Sequence, residues 1–582
     1  MEKRTLLAVV LSVLVITIGF SIQNALFPPD DFIAERPVPT ASTEPDSRAP
    51  ADPGAVTAQP DSMEIRAVPD ERATAREIVF ESSNMRVAMN SEGAVITSLE
   101  LLNHRDGGEP VNLVLRGDDG DPAMLTRFGG PDGRPVTEAF RFNQISNNEF
   151  EFTRDFYIAG NEEEPFALTK RYRFEPGEYL FNVEVELRNT VNAAIPLNID
   201  GFAYTLGFGP QIGPQFTELD GRNEFRRFVT LTQGSRRLER DSTELSEGER
   251  EILDQRVEWA GLAGKYFALI GIPDQTRYSI VFDSEPVSGL VRGHQMSFAR
   301  PAIRQSFNTD TFRVYAGPKT PEALTRYDSA DSNAFRISNL NLDQILDSRP
   351  LLGWLENVLR LGLNMFYRII PNYGVAIILL TILVKALLYP LTRKSFTSMK
   401  RMQELNPKMN ELKEKYKNDQ QKQQQALAEL YKKEKVNPLG GCLPMVLQIP
   451  FFIAMFGVFN NSFDLRGATF IPGWIDDLSV SESILSWSGF ALPVVGNDIR
   501  LLPLIFLASQ LFTSKFMQPA GGAQSGAQQK MFKYLLPAFI FFVLYNMPAG
   551  LLVYMILTNV TTGLQQYWSQ RGAKKAPTPT AG

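Results

Sequence analysis

The sequence predicts a multi-domain membrane protein. Six transmembrane α-helices, an N-terminal anchor plus a five-helix core, carry a large outer antiparallel β-sandwich and an inner helical hairpin. Three observations predict this class. Hydrophobic residues make up 44% of the 582 and are gathered into a few long runs. Charge is divided: Asn24 to Asn372 holds 36 Lys/Arg against 53 Asp/Glu, whereas the remainder holds 23 against 12, so the two parts face different compartments. The stretch between those extremes alternates at period two, the mark of half-buried strands.

In residues 1–23, Lys3 and Arg4 precede an uncharged run from Thr5 to Gln23. That run exceeds the roughly 7 to 15 apolar residues of a signal peptide, and no A-x-A-like cleavage site follows. It is an uncleaved anchor with its N-terminus inside. Residues 24–75, rich in Pro, Ala, Asp, Glu, Ser and Thr, bury too little to fold alone and form a disordered linker. Residues 76–349 contain runs such as FEFTRDFYIAG, YSIVFDS and TDTFRVYAG, read as antiparallel strands of one sandwich. Residues 350–371 form an amphipathic helix with Glu356, Arg360 and Arg368 on one polar face, ended by Pro371. It belongs either to the outer membrane interface, the favoured placement, or to the sandwich as its last helix.

Residues 372–570 make the five-helix core, with spans at about 373–391, 441–460, 501–517, 531–547 and 549–567. Segment 392–437 carries twelve Lys/Arg against six Asp/Glu as far as Val436, which puts it on the inner side. There Asn406 caps a helix with Pro407 in its first turn and Met409, Leu412 and Tyr416 on one stripe. KNDQQ turns the chain into a second helix, about Gln421 to Lys435, with Leu427, Leu430 and Tyr431 facing inward. Loop Ser462 to Arg500 has five acids against two arginines and lies outside. Met547-Pro548-Ala549-Gly550 folds the last two spans together, and the basic tail 571–582 returns inside.

Cys442 is the only cysteine, and His104 and His294 the only histidines. No metal-ligand spacing, GxxxxGK[ST] or GxSxG occurs, so no cofactor, metal or enzymatic activity is expected. The residue that demands an account is Lys385, within YGVAIILLTILVKALLYPL, which contains no acid. A lysine near a helix centre costs about 2.5 to 3.5 kcal/mol on insertion scales. It either snorkels roughly 9 Å to the interface beyond Leu391 or faces water, a partner or a substrate. Thr381, one turn earlier, shares its face. Gln448, Asn546, Tyr554 and Asn559 are polar groups of other spans that either line the same cavity or hydrogen-bond between helices.

LVKALLYPLT, LYKKEKVNPLGGCLPMVLQIPFF and NMPAGLLVYMILTNVTTGLQQ together, in this order and spacing, resemble the YidC membrane-protein insertases and their mitochondrial and chloroplast relatives, from about Gly353 to Arg571. The anchor and outer domain resemble Gram-negative members in layout. The resemblance implies a bacterial inner-membrane protein with both termini cytoplasmic, a periplasmic β-sandwich and a cytoplasmic hairpin. It also implies a hydrophilic groove open to cytoplasm and lipid and closed to the outside. Lys385 stands at the groove position that most members fill with arginine; it keeps the charge but lacks the planar five-donor fork. Thr381, Gln448, Asn546, Tyr554 and Asn559 are the further groove candidates. Implied partners are nascent membrane proteins, a transient ribosome, a Sec translocase and membrane lipids, with no specific nucleic-acid site. A secondary transporter would also hold a charge in a polar cavity, but no inverted repeat is evident. An assembly scaffold for the outer domain is the other alternative.

Overall fold

The computed structural model of the chain describes residues 63–573 except 190, 192–193, 196, 210–211, 217–223, 233–235, 242–243, 347–351, 418, 435, 437–442, 488–496 and 517–533. The predicted anchor 1–23, the linker as far as 62 and the tail beyond 573 lie outside the described residues.

Period-two alternation becomes sheet. In Leu180–Asn189, Phe181, Val183, Val185 and Leu187 are buried while Asn182, Glu184 and Glu186 face outward. Among the described residues, the strands from Ile65 to Pro318 form antiparallel sheets of ten, six and four strands. The ten-stranded sheet is built around Glu149–Ile158, Asn161–Phe174, Leu180–Asn189 and Phe307–Pro318, and the six-stranded sheet around Leu197–Gly207 and Gly293–Ile303. Their inner faces meet through aromatic contacts such as Phe128 with Phe156 at 5.0 Å and Phe208 with Phe312 at 6.2 Å. Leu324, Tyr327, Leu342 and Ile345, from helical turns after Pro318, pack with Trp259 and Tyr315 in a second cluster.

Lys170 lies fully buried at the centre of this domain. Its ammonium donates to the carbonyls of Gly93 at 3.0 Å, Ala94 at 3.1 Å and Met124 at 2.5 Å. All three of those residues have positive φ, at 72°, 50° and 63°. One lysine thus satisfies the carbonyls of three residues in turn conformations, which buried backbone requires.

The linker reading of 24–75 needs correction at its end. Ile65–Ala67 is a strand on Glu149–Ile158, with Ile65 opposite Ile158 and buried. Three residues suffice because the edge they join is already formed; no independent core is needed.

The remainder is helical. Helix α1 is Gly353–Ile369, α2 Tyr373–Glu404, α3 Asn406–Lys415, α4 Gln420–Lys433, α5 Leu443–Asn461, α6 Leu501–Phe516, α7 Leu536–Leu544 and α8 Ala549–Ala573. On α1, Leu355, Leu359 and Leu363 face the bundle. Glu356 accepts from Asn461 at 3.1 Å and Arg360 pairs with Glu322, so these charges are tied to the protein. The outward stripe is apolar, Trp354, Val358, Leu361, Met365 and Ile369, instead of the polar face expected there.

Helix α2 differs from the expected span, which ended near 391. It runs through Pro390 to Glu404, because a proline removes one ladder bond and the residues after it are good helix formers. The hairpin therefore begins at α3, and Met402, Leu405, Met409, Leu427 and Val436 form its core. Asn406 is the first helical residue of α3, not its cap; Leu405 occupies the cap without a side-chain bond. Asp419 caps α4, accepting from the Lys422 backbone at 3.0 Å.

Helices α1, α2, α5 and α8 share a core that includes Leu359, Ala376, Leu380, Val458, Phe459 and Leu552. Gly550 is required there: a Cβ on it would stand 2.7 Å from the Phe459 ring. By length and composition, one helix among the described residues, Tyr373–Ser398, is apolar enough to cross a membrane; Val446–Asn461 and Leu501–Ser514 are apolar but shorter.

The segment after α5 joins the β-domain to the helices. Phe463 packs 4.9 Å from Phe267 and 5.3 Å from Tyr266 within the β-domain cluster. Arg466 pairs with Glu224 and with Asp106 at 3.4 Å, and donates to the Gln215 carbonyl at 3.1 Å. Phe463→Ala is expected to destabilise the detergent-solubilised protein by about 3 kcal/mol, the lower end for a buried phenylalanine. An unchanged thermal midpoint would show that the junction contributes nothing.

Candidate functional site

Helix α8 inverts the arrangement of a soluble helix. Tyr554, Thr558, Thr562 and Gln566 recur every fourth residue and so share one face. That polar stripe is the buried one, with exposures of 4%, 1%, 8% and 2%. Helices α2 and α8 pack along it, and Lys385 on α2 meets it: its ammonium donates to the Thr562 hydroxyl at 2.8 Å. Thr562 donates in turn to the Thr558 carbonyl at 2.7 Å, so its proton goes to backbone and its lone pair to the lysine. Lys385 is half-buried, and no carboxylate among the described residues lies within ion-pair distance of it. Thr381, one turn before it, is buried and donates to the Ile377 carbonyl at 2.6 Å.

Another side of α8 faces α6. The Asn559 amide donates to the Ser509 hydroxyl at 3.0 Å, and the Thr513 hydroxyl donates to the Asn559 carbonyl at 3.0 Å. Gly563 permits this approach, since a Cβ there would stand 2.7 Å from Phe512.

The structure thus brings together some of the expected residues and separates others. Lys385 and Thr381 share a face of α2, and Tyr554 lies on the Thr562 face of α8 two turns toward its N-terminus. Asn559 takes the second of its two alternatives: its amide fastens α8 to α6 and does not join Lys385. Asn546 too bonds within the protein. It lies in the turn before α8, where its side-chain oxygen accepts from Arg500, which also pairs with Asp498 at 3.1 Å. Thirteen residues of α8 separate Ala549 from Thr562, about 20 Å along the axis. Gln448 is half-buried on α5 and makes no hydrogen bond to Lys385. Thr558, Thr562 and Gln566 escaped the sequence reading, although counting in fours from Tyr554 finds all three.

The seam therefore offers one ammonium among hydroxyls, a setting that attracts a carboxylate and hydrogen-bonds peptide groups. Residues 365–576 match the family model described as 60Kd inner membrane protein, and residues 77–356 match that of the YidC periplasmic domain. The membrane protein insertase YidC of Treponema denticola is 36% identical over 99% of this chain and 100% of its own length. That of Treponema pallidum is 34% identical over 99% and 100%. A solved structure titled as an active YidC insertase with its first transmembrane domain resolved is 16% identical, covering 87% of this chain and 95% of its own, with a TM-score of 0.34. Two family models that together span most of the sequence, and full-length relatives above 30% identity, place the chain in the YidC family of membrane protein insertases, inner-membrane proteins with a periplasmic domain that here is built of antiparallel sheets.

Proposed function

We propose that the seam between α2 and α8 is the wall of a hydrophilic groove through which nascent membrane proteins enter the bilayer, with Lys385 as the group that draws their acidic outer segments. The observation that carries this reading is the Lys385 to Thr562 hydrogen bond: the ammonium is held by a hydroxyl and leaves its charge unneutralised among the described residues. A client segment must take polar backbone across hydrocarbon, where each unsatisfied group costs several kcal/mol. A wet groove shortens that distance, and a fixed cation lowers the barrier for carboxylates. Thr381 and Tyr554 border the same seam, and Gln448 would extend its polar lining from α5.

The core is multi-pass. Ile382 and Leu387 on α2, Val446 and Ile449 on α5, Leu504 and Phe512 on α6, and Phe539 and Phe542 on α7 are exposed, which suits lipid. With the N-terminal anchor the spans number six, both termini are cytoplasmic, and α3 and α4 form a cytoplasmic hairpin. Domain limits follow as 1–23, 24–75, 76–349, 350–371, 372–570 and 571–582, with the linker ending in the Ile65–Ala67 strand. The exposed apolar stripe of α1, begun by Trp354, rests in the outer interface. The basic hairpin and tail approach the ribosome, and insertion proceeds alone or with a Sec translocase. The protein is not an enzyme and uses no cofactor.

A photocrosslinker at position 385 is expected to capture a ribosome-stalled client whose transmembrane segment has just emerged. The same crosslinker at Leu387, on the lipid side, gives little capture early in insertion. Equal early capture at both positions, or none at 385, removes the groove reading.

A further inference from the structure

The six-stranded sheet carries a cavity on its outward face, away from the domain core. Cross-strand pairs place Ser297 opposite Gly207, Gly207 opposite Leu125, and Asp283 opposite Gln295, so alternate residues of four adjacent strands form the floor. The cavity is about 200 Å³. Gly207 sits in the middle of this floor without a local requirement: its φ is ordinary and a Cβ would meet only a backbone oxygen at 3.6 Å. The missing side chain opens the space.

Ser297 is 3% exposed, lines the cavity, and makes no side-chain hydrogen bond to the described residues. Its hydroxyl is reached from the cavity and has no protein partner among the described residues, so it faces water or a ligand there. Gln295 beside it also has no side-chain partner among the described residues.

Charge selects the ligand. The two guanidiniums lining the cavity are engaged: Arg127 pairs with Asp121, and Arg250 pairs with Asp283, with Asp132 at 2.6 Å and, more distantly, with Glu285 at 3.9 Å. Neither guanidinium of this cavity is left for an anion. Glu285 lines this cavity and a second one of about 400 Å³, bounded also by Asp119, Glu247 and Arg292. Across both, six carboxylates stand against three guanidiniums. Burial pushes the Asp283 and Glu285 carboxyls above the usual range, and neighbouring carboxylates push Glu285 in the same direction. No group of three His, Cys, Asp or Glu among the described residues is arranged to hold a metal ion. An acceptor-rich, net-negative lining suits a donor-only head, and a primary ammonium has three donors and no acceptor.

We propose that these two cavities, which share Glu285 as a wall, bind a small linear diamine or polyamine, one ammonium over Ser297 and Asp283 and the next beyond Glu285. The test is isothermal titration of the full-length protein in detergent with 1,4-diaminobutane. Saturable binding is expected, about tenfold tighter than for 1-aminobutane, because the second ammonium reaches the second cavity. Gly207→Leu, which fills the floor, and Glu285→Gln, at a half-exposed position that leaves the fold intact, are each expected to weaken it about tenfold. Three results overturn the proposal: no saturable binding, affinity unchanged in Glu285→Gln, or glucose displacing the diamine at similar concentration, which would mark a site for neutral hydroxylated ligands.

Discussion

Lys385→Glu is expected to reduce insertion of clients with acidic outer tails by about tenfold or more, while Lys385→Arg inserts them as the wild type does. Two unit charges 4 Å apart interact by about 4 kcal/mol at an effective dielectric of 20, so inverting the sign turns a gain of that order into a repulsion. Only part of this reaches the barrier, and about 1.4 kcal/mol already changes a rate tenfold. Thr562→Val should act in the same direction and more weakly. It keeps the volume and the charge but removes the acceptor that fixes the ammonium, so Thr562→Ser should restore insertion. Protease protection of a short acidic-tailed client in proteoliposomes measures all four variants. Equal insertion by Lys385→Glu would show that the charge is dispensable; a neutral-tailed client inserted normally by that variant shows that the helices still fold.

The second large effect is on the β-domain. Lys170→Met is expected to destabilise it by about 3 kcal/mol, because the buried Gly93 and Met124 carbonyls lose their donor and the Ala94 carbonyl keeps only the Tyr172 hydroxyl, while the methionine stem only refills the space. Burial pushes the Lys170 ammonium from 10.5 down to about 7. Between those values the unfolded chain holds a proton that the folded domain does not, so raising the pH through this window stabilises the wild type. Below about 7 both states are charged and this dependence vanishes. Denaturant titrations of the full-length chain at pH 7 and pH 9, followed by the β-sheet signal, should show the wild type gaining stability relative to Lys170→Met. A parallel response in both proteins would place the pH dependence elsewhere.

These two lysines also show what the sequence makes legible. Lys385 is conspicuous because the residues around it are apolar and helical, and a charge in that setting needs a reason. Lys170 lies in LTKRYRF, where alternation puts it on the face of Leu168, Tyr172 and Phe174, opposite to that of Arg171 and Arg173; the pattern turns the lysine inward without showing what could satisfy it there. Its burial depends on turns at Gly93 and Met124, far away in the chain. The sheets and helices were readable because period two and helical apolar runs are local properties; which neighbour each polar group on a buried face meets is not. On α1 the charges looked like a solvent face, yet Glu356 and Arg360 take partners from α5 and the β-domain. Asn546 and Asn559 looked equivalent to Tyr554, but each found a nearer partner, Arg500 and Ser509. Polar residues of a helix bundle go to whichever neighbour satisfies them, and that neighbour is set by tertiary packing.

The run of α2 through Pro390 has a mechanical consequence. From Lys385 to Glu404 the helix is one rod of about 30 Å, at 1.5 Å per residue. Its weakest joint is the single hydrogen bond that Pro390 cannot make, one turn and a half beyond the ammonium. A bend in α2 is therefore expected to fall at that proline, so the hairpin end can tilt while the turn that carries Lys385 stays seated against Thr562.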